Sequence, residues 1–159
     1  MRRAFAILGS LLFFVIAPGT VAGLVPWWIS RWRFDWGWLP LRVAGGALAA
    51  ASLIVLLASF ADFAVKGLGT PAPVFPTRHL VVAGFYRYVR NPMYVAVVSL
   101  IFGQALIFGN LLLLEYGIVV WLFFHLFVRL YEEPTLRATY GVEYDRFCAT
   151  VPRWIPRLR

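Results

Sequence analysis

Four long apolar runs constrain this chain more than any other feature: Phe5–Val25, Leu41–Ala61, the stretch from Pro92 to Phe108, and Leu111–Val128. A helix rises about 1.5 Å per residue, so roughly 20 apolar residues cross a hydrocarbon core about 30 Å thick. The first two runs fit a crossing directly. The last two are shorter and are separated only by Gly109-Asn110, so they read as a helical hairpin on a tight turn. Met1-Arg2-Arg3 ahead of the first run resembles a signal peptide. That run is long, lacks a clear small-x-small cleavage site and is followed by three more, so a retained first span is expected. The chain is 62% hydrophobic and 14% charged, against about 25% charged in soluble domains. Lipid is therefore the expected solvent for most of its 159 residues.

Charge sets the expected orientation. Twelve basic residues, among them Arg2, Arg3, Lys66, Arg87, Arg90, Arg137 and Arg146, fall on one side of a four-span arrangement. Three, Arg31, Arg33 and Arg42, fall on the other. The rich side is expected to be cytoplasmic, with both termini there. The net charge of +8 then reads as topology and contact with anionic headgroups, not as a nucleic-acid surface. The segment Trp27–Trp38 becomes an outer loop whose tryptophans lie at the membrane surface. The single cysteine, Cys148, excludes an intramolecular disulfide and a cysteine-cluster metal site, and no metal is expected.

Polar residues concentrate in two segments on the cytoplasmic side. In the first, Arg78 to Tyr94, Asn91-Pro92 is a helix-start signal, with asparagine as N-cap and proline at the first helical position. The exposed N–H groups and positive dipole end of such a start suit an anion. Capping alone accounts for Asn91 and Pro92, but not for the crowding of Tyr86, Arg87, Arg90 and Tyr94 around them. The second segment holds Glu132-Glu133. Helix-start acids ahead of Pro134 and a cation site account for this pair about equally well. From Pro134 onward Leu136, Tyr140, Tyr144 and Phe147 recur at helical spacing, the pattern of an interfacial amphipathic helix, with Gly141 weakening its middle. The tail from Val151 to Arg157 reads as extended and surface-anchored. Glu115 and His125, near the two ends of the fourth run, read as structural.

The string Gly84-Phe85-Tyr86-Arg87-Tyr88-Val89-Arg90-Asn91-Pro92-Met93-Tyr94 is similar to the G-x-Y-x-x-x-R-H-P-x-Y motif of the isoprenylcysteine carboxyl methyltransferases, relatives of the phospholipid methyltransferases. Glu132-Glu133-Pro134-Thr135-Leu136 with Tyr140-Gly141 and Tyr144 resembles the E-E-x-x-L-x-x-x-[FY]-G-x-x-Y motif, and Val151-Pro152-Arg153 to Pro156 resembles the ending. The resemblance implies a membrane-embedded methyltransferase that binds S-adenosylmethionine on the cytoplasmic side, under the proline-rich connection and the C-terminal segment, and takes its acceptor laterally from lipid. It assigns Arg78, His79, Leu80 and Val81 to the cofactor pocket, Tyr86 to cofactor contact, and Asn91, Pro92, Met93 and Tyr94 to a helix-start cradle. Glu132 would bind the cofactor's polar end with Glu133 beside it. Arg129 resembles the arginine of the acceptor side, at a spacing off by one. The family's usual histidine is Asn91 here, and asparagine cannot shuttle a proton at neutral pH.

The expected fold is thus an all-α membrane protein: four transmembrane helices, the last two a hairpin, and a C-terminal interfacial helix on the cytoplasmic side. Residues 1–66 would supply two N-terminal helices, and residues 67–159 the cofactor-binding core. The expected function is methyl transfer from S-adenosylmethionine to a lipid-like or prenyl-like acceptor (carboxylate, thiol or amine) at the inner membrane. An NADPH-dependent enzyme resembling sterol reductases and a non-catalytic membrane scaffold are the alternatives.

Overall fold

The structure is a computed structural model that describes residues 15–35, 37–66, 80 and 82–156, with the backbone alone for residues 63–66. Among the described residues every regular element is helical. Helix α1 spans Val15–Ser30 and α2 Leu39–Lys66. A single 3-10 turn, Gly84–Arg87, precedes α3 (Pro92–Phe108). Helix α4 (Leu111–Phe127) runs on through a π turn, Val128–Glu132, into α5 (Glu133–Tyr140). Helix α6 is Val142–Thr150.

Two helices, Leu39–Asp62 and Leu111–Tyr140, are long and apolar enough to cross a membrane. Only 28% and 22% of their most apolar windows are buried inside the protein, whereas the core helix of a soluble protein would be mostly buried. The exposed residues are large and apolar: Leu53, Ile54 and Leu57 on α2, and Ile118, Val119, Leu122 and Phe123 on α4. The 17 residues of α3 stand at the lower end of the range of about 17 to 25 for a crossing.

The core forms where α2 and α3 pack, around Leu56, Phe60, Ala96, Val97 and Ile101, with Ala22 of α1 and Val120 of α4 closing it. Glycine permits this approach. A Cβ on Gly103 would stand 2.9 Å from the Ala49 nitrogen, and one on Gly45 2.7 Å from the Gly103 oxygen. Close backbone contact through small residues is how helices associate where no hydrophobic effect drives them together.

Proline shapes two helices in the same way. In α1 the turn Thr20–Leu24 widens to π geometry just before Pro26, and in the α4–α5 helix Val128–Glu132 does so just before Pro134. A proline ring clashes with the carbonyl four residues back and offers that carbonyl no N–H; the widened turn relieves the clash. The carbonyls left over in α1 are taken by side chains. Gln104 Nε2 donates to the Ala22 oxygen at 2.7 Å, and the Tyr116 hydroxyl to the Val21 oxygen at 2.9 Å.

The hairpin between α3 and α4 turns as read from Gly109-Asn110. Gly109 takes φ +63° as the left-handed C-cap, and Asn110 Oδ1 accepts from the Leu113 N–H at 3.0 Å. Three expectations need revision. Trp27 and Trp28 belong to α1, not to the loop, because the π turn carries the helix through Pro26 to Ser30. Pro134 does not open a separate helix, since the π turn carries α4 through it without a break. The amphipathic stretch after it is instead divided at Gly141 (φ +53°), so the stripe of Leu136, Tyr140, Tyr144 and Phe147 is shared by α5 and α6.

Candidate active site

The 84–94 segment begins against the end of α2. Gly84, at φ +55°, touches the Asp62 carboxylate, and a Cβ there would collide with it. The 3-10 turn it opens buries Tyr86. Burial, then the negative charges of Glu132 and Asp62, push the Tyr86 hydroxyl well above its ordinary range, so it stays protonated and able to donate. Asn91 occupies the N-cap position of α3, as the sequence implies, but its side chain does not cap the helix. Its Nδ2 donates instead to the Arg153 carbonyl at 3.1 Å.

The two adjacent glutamates face different surroundings. Glu133 is buried and held by two guanidinium groups. Arg153 grips it bidentately, Nε to Oε1 at 2.6 Å and Nη2 to Oε2 at 2.9 Å, and Arg90 Nη1 donates to Oε1 at 3.0 Å. Such fork-on-carboxylate pairs are the strong charge-assisted kind. Glu132 accepts a hydrogen bond from the Tyr94 hydroxyl at 2.9 Å and forms no ion pair with a basic side chain among the described residues. It faces a cavity.

That cavity holds about 280 Å³, near the lower bound of small-molecule pockets, roughly 300–1,000 Å³. Tyr86, Arg90, Asn91, Tyr94 and Glu132 form its polar end, and Tyr140, Tyr144 and Phe147 one side. Ala17, Pro18 and Val21 of α1 and Phe123, Phe124 and Phe127 of α4 line its apolar part, and Phe123 is 62% exposed. The Tyr94 and Phe124 rings, 4.6 Å between centroids, stand between it and a smaller groove lined by Trp121 and Trp154.

Of the residues singled out from sequence, Leu80, Tyr86, Asn91, Met93, Tyr94 and Glu132 line this cavity. Pro92 is buried at the helix start behind them. Glu133 is turned into its arginine clamp and away from the lining. Arg129 lies exposed on the π turn and is not part of the wall. Arg78, His79 and Val81 lie outside the described residues.

The resemblance implied a cofactor under the C-terminal segment, whereas the residues alone suggested an extended, surface-anchored tail. It bends back across the 84–94 segment and is not simply laid out on a surface. The Arg90 N–H donates to the Pro152 oxygen at 2.9 Å, and Trp154 Nε1 to His125 Nδ1 at 3.1 Å. The unused signal was Arg153 beside Pro152: proline cannot prolong the preceding helix, and a fixed bend placed an arginine near an acidic pair.

A family model described as phospholipid methyltransferase matches residues 41–143, more than half of the chain and both polar clusters. The chain belongs to the phospholipid methyltransferase family. It is also similar to the protein-S-isoprenylcysteine O-methyltransferase of Schizosaccharomyces pombe, at 35% identity over 78 residues, which cover 48% of this chain and 33% of that protein. The chain thus spans about a third of the length of this curated relative. In this phospholipid methyltransferase family member, the cavity joins the two matched clusters around one half-buried carboxylate.

Proposed function

We propose that the cavity binds S-adenosylmethionine and that the protein transfers its methyl group to a lipid-like or prenyl-like acceptor at the cytoplasmic face of the membrane. The observation that carries this reading is Glu132: a carboxylate in the cavity wall with a tyrosine hydroxyl as partner and no ion pair among the described residues, beside a twin that holds two arginines. A charge in such a place is costly unless a cation meets it. The cofactor brings an ammonium and a sulfonium, and the rings of Tyr86, Tyr94, Tyr140, Tyr144 and Phe124 offer π faces to a cation.

When bound, the cofactor supplies a methyl group already activated on sulfur, so the protein has to orient and shield more than to activate. Glu132, fixed by Tyr94, holds the cationic end. Tyr86 and Asn91 line the polar end beside it. Phe124, Phe127, Leu136 and Phe147 exclude water. An acceptor with an apolar tail would lie along Val21, Phe123 and Phe127, with its carboxylate, thiolate or deprotonated amine turned toward the polar end, where the bound cofactor would supply the methyl group.

The membrane arrangement belongs to the same proposal. Helices α1 to α4 cross the bilayer, α5 and α6 lie at the inner interface with Arg137 and Arg146 outward, and both termini are cytoplasmic. The exposed apolar faces of α2 and α4 and the unequal spread of arginines support this. Residues 1–66 then carry the first two spans and residues 67–159 the cofactor-binding core, with Arg78, His79 and Val81 over the pocket and Arg129 on the acceptor side.

The test is methyl transfer from methyl-tritiated S-adenosylmethionine in membranes containing the protein. Label should enter the lipid-extractable fraction in proportion to enzyme. No label above empty membranes, together with no binding of the cofactor to detergent-purified folded protein, would refute the proposal.

A further inference from the structure

Of the two adjacent glutamates, the one that does not reach the cavity has the better partners. Glu133 lies behind the wall between Arg153, at 2.6 and 2.9 Å, and Arg90, at 3.0 Å. Arg153 arrives from 20 residues downstream, on a segment tied down by the Asn91 side chain on its own carbonyl and by the Arg90 N–H on Pro152. It does not line the cavity. Yet without it, two negative charges on consecutive residues would stand at the polar end, with Arg90 as the remaining ion-pair partner of Glu133 among the described residues.

We infer that Arg153 is a positioning residue that sets the charge selectivity of the cavity: by pairing with Glu133 it leaves Glu132 as a cavity-wall carboxylate with no ion pair among the described residues, and so tunes how strongly the site prefers a cationic ligand over a neutral one. This rests on the proposed cofactor. S-adenosylmethionine carries one positive charge more than its demethylated product, S-adenosylhomocysteine. A methyltransferase must release that product, so its ratio of affinities for the two is a functional quantity set by charge near the sulfur. Glu133 with Arg90 and Arg153 has a net charge of plus one. Arg153→Met lowers it to zero and makes the site more attractive to a sulfonium. Glu133→Gln raises it to plus two and makes it less attractive. The double variant returns it to plus one.

Equilibrium dialysis of detergent-purified protein with each ligand reads the ratio of dissociation constants, product over cofactor. The ratio should rise in Arg153→Met and fall in Glu133→Gln, each by about four- to fifteenfold. That is the range for one unit charge acting over roughly 10 Å through an effective dielectric of about 20 to 40. In the double variant it should return to the wild-type value even if both affinities drop. Arg153→Lys, which keeps the charge but loses the fork, should weaken both ligands without moving the ratio, and with Glu133→Gln it preserves the test if Arg153→Met does not fold. Equal weakening of both ligands in every variant, or a shift of the same sign in Arg153→Met and Glu133→Gln, would reduce Arg153 to a purely structural clamp and overturn the inference. Failure of the wild type to bind either ligand would instead refute the proposed cofactor.

Discussion

Glu132 and Glu133 are chemically identical and adjacent, yet the fold assigns them opposite tasks. The divergence comes from helical geometry. Consecutive side chains on a helix point about 100° apart, and the π turn ending at Glu132 shifts the register further. One carboxylate therefore faces the cavity and the other faces the tail. Tyr94 fixes the first through a hydrogen bond of 2.9 Å. Tyr94→Phe keeps the ring against Phe124 and removes only that donor. Bonds to charged groups contribute about 1.5–3 kcal/mol to folding stability, so the melting temperature should fall by about 2–4 °C per kcal/mol lost, and cofactor affinity should fall about tenfold as Glu132 loses its fixed orientation. Dialysis and thermal denaturation of the same sample check both, and unchanged affinity would remove Tyr94 from the site. At this scale the sequence was partly legible. The spacing and resemblance led to Tyr86, Asn91, Met93, Tyr94 and Glu132, all of which reach the cavity. They did not separate Glu133 from Glu132, because the arginines that distinguish them are 20 and 43 residues away in the chain.

Among the elements, the prolines do more than end helices. Pro26 cannot donate to a carbonyl of the preceding turn, and Gln104 on α3 accepts the task, tying α1 to α3 at the Ala22 oxygen. Gln104→Leu should leave that carbonyl unpaired in an apolar setting and lower stability by about 1 kcal/mol, within the range measured for hydrogen bonds between membrane helices. Pro26→Ala added to it should recover most of the loss, since alanine restores an N–H to the helix ladder. Thermal denaturation in detergent distinguishes the outcomes: if the double variant is less stable than Gln104→Leu alone, the backbone account is wrong. Helix boundaries were legible where a local signal acts, as at Asn91-Pro92 and Gly109-Asn110. They were not legible where a helix absorbs its proline by widening, as at Pro26 and Pro134, because the outcome depends on neighbours from other helices that supply the missing bond or leave room for it.

For the whole molecule, the apolar periphery and the polar end of the cavity define an axis. The 31–35 segment lies at the end where Asn110 Nδ2 reaches Asp35 Oδ2 at 2.6 Å, and the site lies at the other end of α3 and α4. In a Cys148→Ala background, a cysteine at Arg33 should react with a membrane-impermeant maleimide in intact cells, and one at Arg137 only after lysis. The reverse pattern would invert the proposed orientation. The meeting of the two polar clusters was legible in the sequence, since a hairpin returns the chain to the side it left. The place of the tail over the site came from the resemblance alone, because it depends on single hydrogen bonds to the Pro152 and Arg153 carbonyls and from the Trp154 indole that no periodicity announces.

The central claim is that Glu132, a cavity-wall carboxylate with no ion pair among the described residues, draws a sulfonium cofactor into this cavity. Equilibrium dialysis of S-adenosylmethionine against purified wild type and Glu132→Gln tests it most directly, because glutamine keeps the shape and the acceptor for Tyr94 while removing the charge. Binding should be measurable in the wild type and weakened at least thirtyfold in Glu132→Gln, about 2 kcal/mol at 1.4 kcal/mol per tenfold, with an unchanged melting temperature for the free protein. Equal affinity in the two proteins would contradict the account.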